Sequence, residues 1–478
     1  MKNRKWLAVG VSVTVSAVIL TLLLTFSNDG PSEHQADRPK AKPQQSSLPL
    51  NPKTEVTATP PLDKLTESQK SYFLNAVAQN PEYRYTGQLN CSSRQPISLW
   101  HGYRAKEKEA LEATIAAYNK NLQSRWQPCS TPAPQVTTTA IPFDKYADQL
   151  KSKILEKQGP DIFIYAQDRL GNWASSTAIL YPITGQIDAQ LLSLHPPEVL
   201  TAVMVGDQLY GMPLNTKTLA LIYNKKLLKN PPKTTSAIER LMRQKASADG
   251  KFHALAYPYA NYYYHSIWQN GYGGRLFNEQ QELEVDSQAN IKALEHVVDW
   301  HNNSLMPHRP EESDVTTLFN EQRIMMAISG PWFLDSINEA IDYAIAPLPT
   351  ISEVRSPMKP WMTVEGAYIS ANSVNKALSI DLLHFLGGAD AGTIMATQAA
   401  HVPTNQNVYN NPEVNRLADV IAFRAQAQNA VALPNTAAMS SVWGPATTAM
   451  DLALRDYESP TSALRRAQEE IAADIKAP

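Results

Sequence analysis

From residue 96 onward, short apolar runs alternate with longer stretches of helical spacing. A run at 97–100 precedes a segment whose apolar residues recur on one helical face, and β-prone runs at 135–140 and 161–165 flank a second such segment. The first apolar face comprises Leu111, Ile115, Tyr118 and Leu122, and the second Tyr146, Leu150 and Ile154. Asp144 is positioned to cap the second helix. Two consecutive crossovers predict an α/β fold with a parallel, doubly wound sheet.

The second half of the chain continues the alternation. Further strands are predicted at 219–224, 324–329 and 343–345, and a helix is predicted after the loop 230–234. Pro331 precedes Trp332, and proline is favoured at the first position of a helix, so Trp332 is expected in a first turn.

The N-terminal 90 residues follow a different pattern. Residues 1–26 join a basic start to an uncharged apolar run of about 20 residues, which is long enough to cross a bilayer. This pattern predicts an uncleaved membrane anchor, with a cleaved signal peptide as the alternative. The basic flank stays inside, so the rest of the chain is exported, to the periplasm or cell exterior. Residues 27–90 are predicted to be a proline-rich linker and lead-in.

Composition narrows the possible partners. The formal charge is −2 and 18% of the residues are charged, so nothing indicates nucleic-acid binding. The two cysteines, Cys91 and Cys129, each precede a predicted strand, and neighbouring parallel strands begin close together. In an exported chain this predicts a disulfide, and two buried free thiols are the alternative.

Motifs of catalysis are absent from the sequence. It contains no phosphate-binding loop, no G-x-S-x-G elbow and no H-E-x-x-H pair, and its ten histidines show no metal-ligand spacing. We therefore expect neither an enzyme nor a bound metal or cofactor.

The candidate chemistry lies where a predicted strand ends. Tyr165, Asp168 and Arg169 follow the apolar run, and ligands of open α/β sheets bind at the carboxyl ends of the strands. An aromatic face beside a carboxylate and a guanidinium suits a sugar ring and its hydroxyls. A core tyrosine with a surface ion pair is the alternative. Tyr103 and Arg104 follow the first strand and should open onto the same edge.

A series of short motifs runs in order along the chain: Gly159-Pro160-Asp161-Ile162, Ala166-Gln167-Asp168-Arg169, Leu221-Ile222-Tyr223-Asn224-Lys225, Asn230-Pro231-Pro232-Lys233-Thr234, Phe319-Asn320, Gly330-Pro331-Trp332 and Leu348-Pro349-Thr350. In these motifs and their order, the chain from about residue 96 to its end resembles the maltose/maltodextrin-binding proteins, the receptors of bacterial sugar ABC importers. It implies two lobes joined by hinge strands that close on an oligosaccharide and deliver it to permease subunits. The implied lobes are 91–216 with 363–410, and 217–362 with 411–478.

The resemblance also implies a set of site residues. Asp168 and Arg169 would hold hydroxyls, and Tyr165, Trp332 and Trp443 would stack on sugar rings. Tyr263 keeps the tyrosine of a family Glu-Pro-Tyr segment that reads Asn261-Tyr262-Tyr263 here.

Several positions depart from the family. Arg104 aligns loosely with a family lysine, and Lys217 stands where the family has a hinge glutamate. Gly444 and Thr447 replace a tyrosine and an arginine, and Glu365 is a candidate to restore the missing carboxylate. These departures predict a modified ligand preference.

The leading hypothesis is a membrane-tethered sugar receptor of an ABC importer. The alternative is a tethered carbohydrate sensor or surface-binding module without transport, since fold does not determine function. An enzyme acting on oligosaccharides is a third, weaker hypothesis.

Overall fold

A computed structural model describes residues 89, 91, 95–175, 178–245, 250–278 and 280–476. The predicted anchor at 1–26 and all of the predicted linker except Leu89 lie outside the described residues. Within the described part of the chain, no helix combines the length and the apolar character needed to cross a membrane.

The strands and helices follow the alternation expected from the sequence. The strands are β1 (Ile97–His101), β2 (Val136–Ala140), β3 (Ile162–Ala166), β4 (Met204–Val205), β5 (Gln208–Leu209), β6 (Gly211–Lys217), β7 (Ala220–Asn224), β8 (His253–Ala256), β9 (Ile324–Ser329), β10 (Tyr343–Ala346), β11 (Thr350–Ile351), β12 (Ser356–Pro357), β13 (Trp361–Ile369), β14 (Val402–Pro403) and β15 (Val431–Ala432). The α-helices are α1 (Ala105–Arg125), α2 (Phe143–Leu155), α3 (Leu170–Ala174), α4 (Ala189–Ser193), α5 (Pro197–Ala202), α6 (Thr235–Lys245), α7 (Tyr262–Gly271), α8 (Gln288–Asn302), α9 (Glu312–Asn320), α10 (Lys376–Leu386), α11 (Ala389–Ala399), α12 (Ala418–Ala427), α13 (Met439–Leu454) and α14 (Pro460–Lys476). Short 3₁₀ helices lie at Gln167–Arg169, Pro331–Ser336, Gln406–Asn410 and Val414–Arg416.

The first sheet, which defines lobe I, has the strand order β14-β6-β13-β3-β1-β2. As predicted, β1 lies parallel to both β2 and β3. The prediction of a wholly parallel sheet is wrong, because β13 runs antiparallel to β3 and to β6. The chain leaves lobe I after β6 and re-enters it along β13, so these two strands run in opposite directions.

The second sheet, which defines lobe II, has the order β10-β7-β9-β8. β7 is antiparallel to β9 and β10, whereas β8 is parallel to β9. Only Thr218 and Leu219 separate β6 of lobe I from β7 of lobe II. The molecule is therefore a two-lobe α/β structure of the kind predicted, while the exact lobe boundaries stay a prediction.

Each lobe has its own apolar core. In lobe I the predicted faces of α1 and α2 are buried against the sheet with Leu99 and Phe163. In lobe II, Leu221, Trp268 and Trp300 belong to a separate cluster. Helix α2 differs from expectation at its start: Pro142 is its N-cap, and Asp144 lies in the first turn. A carboxylate in the first turn still interacts favourably with the helix dipole.

The predicted disulfide between Cys91 and Cys129 is confirmed, with 5.5 Å between the two Cα atoms. Ile97 at the start of β1 pairs with Val136 at the start of β2, so parallel neighbours bring the two segments together.

Candidate functional site

Asp168 lies at the carboxyl end of β3, on the edge of lobe I that faces lobe II. Its Oδ2 accepts a hydrogen bond from the indole nitrogen of Trp443, on α13, at 3.1 Å. The Nε of Arg169 is 3.5 Å from the same oxygen. Burial raises the pKa of Asp168 to about 6, although Arg169 and the Trp443 hydrogen bond act in the opposite direction. The carboxylate is therefore shielded from water and held by a residue that packs in another part of the molecule.

Gln167 fixes the segment that carries Asp168. Its side-chain oxygen accepts from the backbone nitrogen of Val364 at 2.8 Å, and its amide nitrogen donates to the carbonyl of Leu433 at 3.1 Å. The turn after β3 is thus bonded to the hinge strand β13 and to the chain leading into α13.

Aromatic rings from lobe II and α13 form a wall opposite Asp168. Tyr263 lies 6.2 Å from Trp332 and 6.1 Å from Trp361, measured between ring centroids. Trp361 is in turn 5.7 Å from Trp443 in an edge-to-face arrangement. Trp332, Tyr263 and Trp443 are only partly buried. This wall provides apolar faces of the size of a sugar ring.

The hydroxyl of Tyr263 reaches the hinge. It lies 3.2 Å from the hydroxyl of Thr363 on β13. Burial raises the pKa of Tyr263 to about 12, with Lys217 lowering it and Glu365 and Asp168 raising it. The hydroxyl is therefore neutral at physiological pH. It lies close to the charged groups of Lys217 on β6 and Glu365 on β13.

A group of polar residues, which we call the hinge cluster, lies beneath this hydroxyl: Tyr103, Glu107, Asn215, Lys217, Glu365 and His401. The ammonium of Lys217 is 2.7 Å from Glu107 Oε1 and 3.3 Å from Glu365 Oε1. The Nε2 of His401 donates to Glu107 Oε1 at 2.9 Å. One lysine thus forms ion pairs with two carboxylates, and a histidine donates to one of them.

The other oxygen of Glu365 is also occupied. Its Oε2 accepts from the hydroxyl of Tyr103 at 2.9 Å and from the amide of Asn215 at 3.0 Å. The Lys217 ammonium additionally lies 5.1 Å from the centre of the Tyr103 ring, within cation–π range. Glu365 is therefore a preorganised carboxylate at the floor of the cleft.

Electrostatic interactions within the hinge cluster favour the charged forms of Glu107 and Lys217. Burial would raise the pKa of Glu107, but the charge of Lys217 and the His401 hydrogen bond outweigh it and hold the pKa well below its ordinary value. Burial would lower the pKa of Lys217, and the two carboxylates more than reverse this effect.

The outer rim of the cleft also joins the two lobes. Arg104, at the start of α1, forms an exposed ion pair with Glu312 of α9 at 3.7 Å. Glu312 also accepts a hydrogen bond from Tyr264 at 2.8 Å. Arg104 is thus exposed at the mouth of the cleft, whereas the hinge cluster is buried.

Three of the predicted site residues have other structural partners. Tyr165 is 6% exposed and packs against Phe143, Tyr146 and Trp173, so its ring belongs to the lobe I core. Asn261 is exposed, and its side chain caps α7 by accepting from the backbone nitrogen of Tyr263 at 2.9 Å. Tyr262 is buried and its hydroxyl donates to Gln269. Their contact with ligand stays a prediction.

Sequence reasoning missed Glu107, His401 and Asn215. The pair His401 and Glu107 is separated by 294 positions, and neither residue stands in a motif. Glu107 lies in the first turn of α1, where a carboxylate is ordinarily solvated. A local signal for this cluster does not exist in the sequence.

Comparison with known proteins gives the class of this molecule. Residues 112–393 match the family described as bacterial extracellular solute-binding protein. The match spans more than half of the chain, and the protein belongs to this family. The resemblance to the maltose/maltodextrin-binding proteins is confirmed by its relatives.

Among the relatives is the maltotriose-binding protein of Pyrococcus abyssi, 26% identical over 396 residues that cover 81% of this chain and 83% of that protein. The galactooligosaccharide-binding protein of Bacillus subtilis is 27% identical over 388 residues, covering 78% and 88%.

Solved structures share the fold. The maltotriose binding protein of Thermus thermophilus, bound with maltotriose, matches with a TM-score of 0.70 at 21% identity, covering 79% of this chain and 100% of that one. The maltose/maltodextrin-binding domain from Bdellovibrio bacteriovorus, bound to maltotriose, matches with a TM-score of 0.72 at 18% identity, covering 80% and 100%.

Proposed function

We propose that this protein is an extracytoplasmic receptor that binds a maltodextrin-like oligosaccharide between its lobes and delivers it to the permease subunits of an ABC importer. One observation carries the proposal: the partly buried ring of Trp443 donates a hydrogen bond to the buried carboxylate of Asp168, and the partly buried rings of Tyr263 and Trp332 continue the same aromatic wall through Trp361. Stacking surfaces opposite a fixed hydrogen-bond acceptor match the two faces of a sugar. The maltotriose- and galactooligosaccharide-binding relatives support a sugar ligand.

Each group has a role in this proposal. The rings of Trp332, Tyr263 and Trp443 cover the C–H faces of successive sugar rings. Asp168 and Arg169 hold hydroxyls from the side of lobe I. Hydrogen bonds to charged groups are stronger than those between neutral groups, so these contacts set the orientation of the ligand.

Glu365 and Lys217 bind a further hydroxyl at the hinge. The family has a carboxylate where this chain has Lys217, and Glu365 returns a carboxylate from β13, held by Tyr103 and Asn215. A site that reads hydroxyls through fixed polar groups rejects ligands lacking them. The exchange therefore alters which hydroxyl pattern is preferred, while the aromatic wall is retained.

Ligand binding is coupled to lobe closure. Trp443 and Asp168 already meet across the cleft, and Tyr263 meets Thr363 at the hinge. A ligand that contacts both sides stabilises the closed state over the open one by its differential affinity. Residues 1–26 would keep the receptor at the membrane near the permease, which raises their effective concentration.

Intrinsic fluorescence tests the binding proposal, because three tryptophans lie around the cleft. Titration with maltotriose, cellotriose and galactooligosaccharides should give a saturable change with at least one α-glucan. Silence toward every α-glucan, together with tight binding of a compound that is not a sugar, would contradict it.

Uptake measurements separate an importer from a sensor. Deletion of the gene should abolish uptake of labelled maltotriose, and the intact gene should restore it while the Trp332→Ala allele restores less. Unchanged uptake with retained binding would favour a tethered sensor instead. Mass spectrometry of the mature N-terminus decides between an anchor and a cleaved signal.

A further inference from the structure

Phe143 is an aromatic residue whose ring stands in solvent. Its side chain is 63% exposed, although it opens helix α2 and follows strand β2 closely. The other strongly exposed aromatic ring among the described residues is Tyr457, which follows α13. A single exposed ring is common on protein surfaces, so it is the position and the fixed orientation of Phe143 that give it significance.

The ring is held in place from below. Phe143 and Tyr165 are nearly parallel, at 7° and 5.8 Å between centroids. A Cβ placed on Gly102 would come within 3.3 Å of Phe143 Cδ2, so the absence of a side chain at Gly102 makes room for the ring. Tyr165 is itself fixed by Tyr146 and Trp173 at 5.3 and 5.0 Å. Phe143 therefore offers one free face and has little freedom to turn away.

Phe143 lies on the edge of lobe I that bears the proposed site. Strands β1, β2 and β3 are parallel, so the residues after each of them emerge at one edge. After β1, Tyr103 bonds to Glu365, and after β3, Asp168 bonds to Trp443. Phe143 follows β2, the outermost strand, and so it continues this edge outward from the centre of the cleft.

Polar groups accompany the ring. Asp148, five residues further along α2, and Arg169 both act electrostatically on the hydroxyl of Tyr165. The Arg169 side chain is 31% exposed, and its buried Nε has no hydrogen-bond partner among the described residues. A carboxylate and a guanidinium thus lie near the Tyr165 ring on which Phe143 stacks.

We propose that Phe143 forms an additional sugar-binding position, in which one ring of a longer oligosaccharide stacks on its exposed face while Arg169 and Asp148 meet the hydroxyls. The inference rests on the proposed function and adds that the site extends along lobe I beyond the rings held by Trp332, Tyr263 and Trp443. The ligand class is then a neutral oligosaccharide longer than a trisaccharide.

Calorimetric titration of the full chain tests the position with trisaccharides and hexasaccharides of α-1,4-glucan, β-1,4-glucan and galactan. For the series that binds, wild type should bind the hexasaccharide more tightly than the trisaccharide. Phe143→Ala should weaken hexasaccharide binding by about fivefold or more, from lost stacking, and change trisaccharide binding less than twofold. Phe143→Trp should retain the difference. Tyr457→Ala, a matched loss of an exposed ring, should change neither affinity.

Each other outcome overturns the inference. Equal losses for both lengths would make Phe143 a residue of the central site, and equal affinities of wild type for both lengths would leave no additional position. Unchanged binding with reduced uptake in the Phe143→Ala strain would make the ring a contact for the permease. Binding to no member of any series would contradict the proposed function as well, and this separates the two failures.

Discussion

The indole N–H of Trp443 donates to the carboxylate of Asp168 at 3.1 Å, a contact between residues 275 positions apart. One comes from the turn after β3 and the other from α13, so the hydrogen bond closes the cleft between them. Under the proposed function, a ligand hydroxyl that binds Oδ2 of Asp168 shares or replaces this donor. Ligand binding, lobe closure and protonation of the carboxylate would then be linked at this residue.

The first prediction concerns pH. The ordinary pKa of an aspartate, 3.8, rises to about 6 at Asp168, chiefly through burial. Between these values the folded protein binds the proton more tightly than the unfolded chain does, so the stability contributed by this group falls as pH rises from about 4 to above 6. The full difference is about 3 kcal/mol. Urea unfolding at pH 4 and pH 7 should show that Asp168→Asn loses this pH dependence.

Trp443→Phe serves as the companion variant. It keeps a ring but removes the N–H that lowers the pKa of Asp168. The decline in stability with pH should therefore move to higher pH than in wild type. An identical pH profile in all three proteins would mean that Asp168 is solvated and does not hold the lobes.

The second prediction concerns the aromatic wall. Trp332→Ala should weaken α-glucan binding by at least about 1 kcal/mol, because a stacking face is lost. Trp332→Phe should retain most of the affinity. Fluorescence titration or calorimetry measures both. Unchanged affinity in the alanine variant would make Trp332 a packing residue of lobe II.

The third prediction contrasts two lysines. Lys217→Met leaves Glu107 and Glu365 buried without their common cation, and breaking a buried ion pair costs roughly 3–5 kcal/mol of unfolding free energy. Lys225→Met removes an exposed ion pair with Asp342 and should cost at most about 1 kcal/mol. Urea unfolding of the two variants at pH 7 gives the comparison.

A double variant tests the reason for that difference. Glu107→Gln combined with Lys217→Met removes one of the uncompensated carboxylates and should regain part of the lost stability. If the double variant is as unstable as Lys217→Met alone, the unpaired carboxylate of Glu107 is not the cause of the lost stability.

The fourth prediction concerns the disulfide. Cys91 and Cys129 close a loop with a sequence separation of 38. In the chain-entropy model this contributes about 4 kcal/mol to the free energy of unfolding. Denatured protein should show no maleimide-reactive thiol before reduction and two after it. Reactive thiols without reduction would mean that the protein does not form the bond. As a control, the Cys91→Ser/Cys129→Ser variant should have the same free energy of unfolding as the reduced protein.

The sequence predicts local structure well where periodicity is strong. The apolar faces of α1 and α2 and the bounds of β1, β3 and β9 agree with expectation to within a residue or so. Tyr165 shows the limit of such reasoning: the sequence left open whether its ring lines a cleft or packs in the core. Only the rings of Phe143, Tyr146 and Trp173 show that it packs in lobe I, and its contact with ligand stays a prediction.

The contacts of the hinge cluster cannot be predicted from local sequence patterns. From the sequence, Lys217 is a departure and Glu365 is the candidate for the missing carboxylate, but nothing there predicts that Lys217 forms ion pairs with both Glu107 on α1 and Glu365 on β13. These contacts exist only because two hinge strands and a helix converge. Phe143 is a similar case, since its exposure follows from the packing of Tyr165 beneath it and not from its own neighbours in sequence.

Isothermal titration of the full chain with maltotriose at pH 7 tests the central claim most directly. We predict saturable heat that fits one binding site, with clearly weaker binding by Trp332→Ala. No heat with maltotriose or with any longer α-glucan, under conditions where the protein is folded, would contradict the assignment of the cleft as a maltodextrin-like sugar site.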